Sequence, residues 1–84
     1  MRRIMENTEY YKLMVKKQRE YGISLRAFAK KAGVGYAMII EFFDTTKPFR
    51  ILSKRSMALF NKNLGIPYKV MEDYNFELYK ERNK

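Results

Sequence analysis

Helix stops and helix caps follow one another so closely along this chain that only short helices fit between them. Gly22 is followed by Ser24, Gly33 by Gly35, and Leu64–Gly65–Ile66 by Pro67, while Asn7 or Thr8 and Ser53 stand ahead of further amphipathic stretches. A Ser, Thr or Asn side chain accepts from a first-turn N–H and so opens a helix, whereas glycine closes one by entering a left-handed cap without a Cβ penalty. All four glycines read as stops or turns. The expectation is an all-α fold, a compact four- or five-helix bundle in a single domain over residues 1–84.

Hydrophobic spacing assigns the inward faces. Tyr11, Met14, Val15 and Tyr21 recur at helical spacing in the first helix, and Leu25, Phe28, Ala29 and Ala32 in the second. A third, opened by Gly35 or Tyr36 and running through Phe43, turns Ile39, Phe42 and Phe43 inward. Asp44–Thr45–Thr46–Lys47–Pro48 reads as an exit and loop, because the residue before proline is pushed out of the helical region. The helix capped by Ser53 faces Met57, Phe60 and Leu64 inward, and Pro67 is expected as the first residue of a short fifth element. Residues 75–84 are ambiguous: Val70, Met71 and Tyr74 fit helical turns, but Tyr74, Phe76, Leu78 and Lys80 alternate as a strand does, and helix is the preferred reading.

Composition narrows the chemistry. Without Cys or His there is no zinc finger, disulfide, thiol nucleophile or imidazole acid/base, and no metal or cofactor is expected. The close carboxylates, Glu6 with Glu9, Glu72 with Asp73 and Glu77 with Glu81, lie in reach of Lys or Arg on polar faces and read as surface ion pairs. With no glycine-rich phosphate cradle either, the chain does not read as an enzyme. Its apolar runs fall far short of the ~20 residues that cross a bilayer, and no signal-type stretch opens it, so a soluble cytoplasmic protein with no membrane partner is expected. The length leaves no room for a ligand-sensing domain, so no small-molecule ligand is expected.

Charge supplies the first positive indication. Lys and Arg number 18 against 9 Asp and Glu, a formal charge of +9, which makes the surface attractive to polyanions and to nucleic acid first. The excess is local: residues 45–66 hold Lys47, Arg50, Lys54, Arg55 and Lys62 and not one carboxylate. The thirteen aromatic residues read mainly as core fillers in a chain without Trp, with Phe28, Phe42 and Phe60 on inward faces, and the Met residues likewise. Met1–Arg2–Arg3 reads either as an arm that tracks a groove or as a solvated end.

Ser24–Asp44, SLRAFAKKAGVGYAMIIEFFD, is the most informative segment. A helix-turn-helix joins two helices through a turn of about 3–4 residues. Ala29 is small where the helices would cross, Gly33 supplies the positive φ the turn needs, Val34 fills the space beneath it, and Ile39 turns inward to meet Phe28 and Ala29. With this motif, the Gly22–Ile23–Ser24 approach and the Asn63–Leu64–Gly65–Ile66–Pro67 exit, the chain resembles the lambda-repressor-like helix-turn-helix family of Cro, phage-repressor and XRE-type domains. The resemblance covers most of the chain.

That resemblance implies a helical bundle whose second motif helix lies in the DNA major groove. The positions it turns toward the groove are Gly35, Tyr36, Ala37, Ile40, Glu41 and Asp44. It places Ser24 and Arg26 near a phosphate, and Thr45, Thr46, Lys47, Arg50 and Lys54 along the DNA backbone. Where the family usually has Ser, Thr, Gln, Asn or Arg as base readers, this chain has Tyr36, Ala37, Ile40 and an acid. Glu41 and Asp44 would weaken binding to a polyanion unless one of them pairs with a base or with Arg50.

The function expected is that of a sequence-specific double-stranded DNA-binding regulator, a repressor from a phage, plasmid or mobile element. It is expected to act as a homodimer, from family habit and from Tyr74, Phe76, Leu78 and Tyr79, more apolar surface than a terminus needs. A rival reading keeps the scaffold but makes Met38, Ile40 and Phe43 a face that docks another protein, and a third is an accessory role in DNA processing or excision.

Overall fold

In the computed structural model, which describes residues 2–83, six helices follow one another: α1 Arg2–Met5, α2 Glu9–Tyr21, α3 Leu25–Ala32, α4 Tyr36–Phe43, α5 Lys54–Leu64 and α6 Tyr68–Arg82. The caps are those the sequence offers. Thr8 opens α2: its Oγ1 accepts from the Tyr11 N–H at 3.4 Å and donates to the Met5 carbonyl at 2.6 Å, tying α1 to α2. Ser24 and Ser53 open α3 and α5, accepting from the N–H groups of Ala27 at 3.2 Å and Ser56 at 3.1 Å. Each such cap stabilises its helix by about 1 kcal/mol.

Between α3 and α4 lie only Gly33, Val34 and Gly35. Gly33 takes φ +80°, and the N–H of Val34 turns back to the Ala29 carbonyl at 3.1 Å, which closes the helix and reverses the chain in one step. Val34 then packs against the core, and Phe28, Ala29 and Ile39 are all buried. The connectivity is that of a helix-turn-helix.

Aromatic rings hold the bundle together. Tyr10 lies 4.6 Å from the Tyr74 ring and 5.5 Å from Phe42, and Phe49 stands edge-on to Tyr74 at 6.2 Å and to Tyr11 at 5.7 Å. Phe28 meets Phe43 edge-on at 6.1 Å, so rings from α2, α3, α4, α6 and the α4–α5 connection form one cluster. Offset and edge-on pairs add about 0.5–1.5 kcal/mol each beyond the area they bury. The radius of gyration, 12.1 Å, matches the ~12 Å expected of a compact domain of this length.

The structure corrects several expectations. The C-terminal element is the longest helix rather than a short one, and residues 75–82 belong to it, as the preferred reading had them. Met71, Tyr74 and Leu78 are all buried, so the helical period supplies the core and the alternating period loses. Pro67 is the N-cap, one residue before the helix, because its fixed φ precedes an extended ψ of 142°. In α2 the deep residues are Tyr10 and Met14, one turn apart, while Tyr11, Val15 and Tyr21 are half-buried. Phe49 and Leu52, which stand outside any periodic stretch, are buried too. The arm reading falls partly on Met1, outside the described residues; the backbone of Arg2 and Arg3 belongs to α1.

Candidate nucleic-acid interface

The α4 helix divides its residues cleanly. Ile39 is buried, and Met38, Phe42 and Phe43 pack against the core. Tyr36 and Ala37 are exposed, Ile40 and Glu41 are half-buried along the same side, and Gly35 is the exposed N-cap. Ser24 and Arg26 at the start of α3, and Thr45, Thr46, Lys47, Arg50 and Lys54 after α4, are all exposed.

Two arginines converge on this side from opposite ends of the motif. The guanidinium of Arg26 lies 4.3 Å from the centre of the Tyr36 ring, a cation–π contact that joins the first turn of α3 to that of α4. At the other end, Nε of Arg50 donates to Glu41 Oε2 at 2.8 Å. The pairing that would relieve Glu41 of its conflict with a polyanion is therefore formed within the chain. Asp44 is engaged locally: its Oδ1 accepts from the backbone N–H of Thr46 at 2.9 Å and from the Thr46 hydroxyl at 2.7 Å, an Asx turn that shapes the loop before Pro48.

Residues 48–53 are neither helix nor strand, yet they carry Arg50 across the surface with their backbone in order. An extended segment with no neighbouring strand leaves its peptide groups without partners. Here the side chains of α6 provide them. Tyr74 donates through its hydroxyl to the Arg50 carbonyl at 3.1 Å, and Arg82 donates through Nη2 to the Phe49 carbonyl at 2.9 Å. Asn75 both accepts from the Leu52 N–H at 2.8 Å and donates to the Leu52 carbonyl at 3.0 Å, as a facing peptide would. Phe49 and Leu52 bury their side chains underneath.

The candidate residues thus fall on the start of α3, on α4, on the connection after it and on the first turn of α5, with α4 and the connection joined through Glu41 and Arg50. Arg55, in the first turn of α5, lines a hollow of about 270 Å³ together with Gly33, Val34 and Gly35, which adds a cation beside the turn that the sequence reading left out of the contact set. The latch residues Tyr74, Asn75 and Arg82 were also missed. Their only sequence signal is Asn75, a polar residue in the middle of an apolar-faced helix.

Other expectations are redrawn by the packing. Of the tail residues offered as a dimer surface, Tyr74 and Leu78 lie in the chain's own core, while Phe76 and Tyr79 remain 62% and 64% exposed. In the rival docking face, Met38 packs inward and accepts from the Ser56 hydroxyl at 3.8 Å, and Phe43 is packed against Phe28 and Phe42.

Among the described residues no helix is long and apolar enough to cross a membrane, and no group of three or more His, Cys, Asp or Glu is placed to hold a metal ion. Compared with models of protein families, with curated proteins and with solved structures, the chain matches none.

Proposed function

We propose that this chain is a sequence-specific double-stranded DNA-binding transcriptional regulator of the lambda-repressor-like kind, a repressor from a phage, plasmid or other mobile element, acting in the cytoplasm as a homodimer. The observation that carries the reading is the convergence of Arg26 and Arg50 on the exposed side of α4, one held by Tyr36 and the other by Glu41. In a chain of net charge +9, Arg55 lines the hollow beside Gly33, Val34 and Gly35, and Lys47 and Lys54 follow α4 in a stretch without a carboxylate.

In this reading α4 enters the major groove, with Ala37 and Ile40 against thymine methyl groups and Tyr36 at a phosphate or base edge. Ser24 and Arg26 approach one phosphate strand, and Thr45, Thr46, Lys47, Arg50 and Lys54 the other. The protein needs no cofactor and catalyses no reaction. Two copies joined through α6 would present their reading helices to half-sites about 34 Å apart.

The test is selection from a random duplex library near physiological salt, followed by sequencing of the bound pool. An enriched inverted repeat with half-sites one helical turn apart is the expected result. With ~5 phosphates neutralised per protomer, the log–log salt slope of the dimer is near −9. Binding that vanishes as salt rises and enriches no sequence would reduce the activity to backbone attraction and defeat the proposal.

A further inference from the structure

We propose that Arg50, oriented by Glu41, reads a guanine in the major groove and is the side chain on which the base preference of this protein turns. The inference rests on the DNA-binding reading above and changes one residue's part in it, from neutralising a phosphate to recognising a base.

The exposed side of α4 lacks a good reader of its own. Tyr36, Ala37 and Ile40 offer ring, methyl and aliphatic surface, and Glu41 offers acceptors only. The commonest specific contact in the major groove is an arginine fork on guanine O6 and N7, and it requires a guanidinium beside the reading helix. Arg50 brings one there from outside the helix. Its Nε is bonded to Glu41 at 2.8 Å, and with the side chain 76% exposed the Nη groups of the planar fork are open to solvent.

Charge separates a base from a phosphate as the partner of this arginine. Paired with Glu41, Arg50 brings no net charge to the interface, so it is a poor neutraliser of phosphate, a task for which Lys47 and Lys54 stand on either side in the sequence. What the pair does provide is direction. The guanidinium is fixed at its Nε by Glu41, and the backbone beneath it is fixed by Tyr74 at the Arg50 carbonyl, Arg82 at the Phe49 carbonyl and Asn75 at Leu52. A side chain with an ordered backbone and a preferred partner at its Nε loses less freedom on binding than a free one, and a bidentate contact demands that geometry, whereas a phosphate accepts a cation from many directions. Glu41 is in this account a positioning residue that acts through Arg50.

The experiment repeats the library selection with wild type, Arg50→Lys, Glu41→Ala and Glu41→Gln, and then measures affinity for the selected site and for the same site with its guanine replaced by adenine. Wild type should prefer guanine by about ten- to a hundredfold. Arg50→Lys keeps the charge but not the fork, and the preference should fall below about threefold. Glu41→Ala and Glu41→Gln remove the same charge, but the Gln amide oxygen still accepts from Nε. The preference should therefore collapse in the first and survive in the second, a difference that neither charge nor folding accounts for. A motif that Arg50→Lys leaves unchanged, or equal behaviour of the two Glu41 variants, overturns the assignment while leaving the DNA-binding reading standing. Weaker binding of Arg50→Lys to all duplexes alike makes Arg50 a phosphate contact and overturns it as well. A wild type that enriches no sequence overturns both readings together.

Discussion

Asn63 of α5 donates through Nδ2 to the carbonyl of Ala32 at 2.8 Å, so the last residue of α3 is held by a helix 31 positions further along the chain. That carbonyl is one of those a helix C-terminus leaves without an internal partner. The bond fixes the turn of the helix-turn-helix onto α5, and Gly33 lies directly against it. A Cβ there would stand 3.0 Å from Asn63 Nδ2 and 3.5 Å from Leu59 Cδ2, on a backbone at φ +80°. Gly33→Ala should therefore lower stability by about 2–3 kcal/mol, from ~1–2 for the left-handed backbone and ~1 for the loosened hydrogen bond. Gly35, two residues on, has an ordinary φ of −66° and nothing within 4 Å of its would-be Cβ. Gly35→Ala should change stability by less than about 1 kcal/mol, because alanine is the poorer N-cap but loses less chain entropy on folding. Urea unfolding of the two variants side by side measures the contrast, and equal losses would contradict it.

Asn75 makes a second measurable claim. Its two hydrogen bonds to Leu52 order the segment that carries Arg50. Replacing it by Ala should cost about 2 kcal/mol, ~1 for each bond, and should speed hydrogen exchange at the Leu52 amide more than at amides within α5. Asn75→Asp keeps an acceptor for the Leu52 N–H but sets a carboxylate against the Leu52 carbonyl, so it should be at least as destabilising as Ala above pH 5. If Asn75→Ala leaves Leu52 exchange unchanged, the latch does not order that segment.

The division between what was legible in the sequence and what was not follows the range of the interactions. Caps and stops act within a few residues, and Thr8, Ser24, Gly33, Ser53 and Gly65 all do what their types imply. The inward faces of α3 and α5 were legible because three buried residues repeat at helical spacing in each. In α6 two periods competed, both containing Tyr74, and only the packing across the core, which buries Met71 and leaves Phe76 62% exposed, decides for the helical one. The latch was out of reach for the same reason: Asn75 and Leu52 are 23 residues apart, and an asparagine carries no mark of the peptide it will pair with. Glu41 with Arg50 lies between these cases. An acid among the positions that the resemblance turns toward a groove demands a partner, and Arg50 is a candidate in the sequence, but only the path of residues 48–52 brings its guanidinium there.

Tyr10 gives the protein an alkaline limit. Burial, reinforced by the nearby Tyr74, pushes its hydroxyl well above the ordinary tyrosine range. The folded chain therefore keeps this proton where the unfolded chain, titrating near pH ~10, has lost it. More protons bound in the folded state means that stability falls as pH rises, so this contribution is whole below about pH 10 and is lost progressively above it. Tyr10→Phe should remove up to ~1.4 kcal/mol per pH unit from the alkaline slope of the unfolding free energy. Unfolding curves of the two proteins between pH 8 and pH 11 test it, and identical slopes would mean that the Tyr10 proton is not linked to folding.

The outer side of α6 is where a second copy of this chain should bind. Lys69, Glu72, Asp73, Phe76, Tyr79 and Lys80 are all exposed and follow helical spacing along one stripe, with the two rings in the middle. If two such helices cross antiparallel at Phe76, Glu72 and Lys80 lie equally far from the crossing point on opposite sides. Glu72 of each copy then faces Lys80 of the other, the reciprocal pairing a two-fold axis requires. The rings supply the apolar centre and the charges set the direction. Phe76→Glu should give a monomer with an unchanged fold, because the ring is mostly outside the core. Glu72→Lys alone should weaken the dimer severalfold through like charges, and adding Lys80→Glu should restore it by exchanging both partners. Sedimentation across a micromolar concentration range reads all three outcomes. The Phe76→Glu monomer should bind a two-half-site duplex no more tightly than a single half-site; a variant that stays dimeric, or a double variant no better than Glu72→Lys, would place the two-fold axis elsewhere.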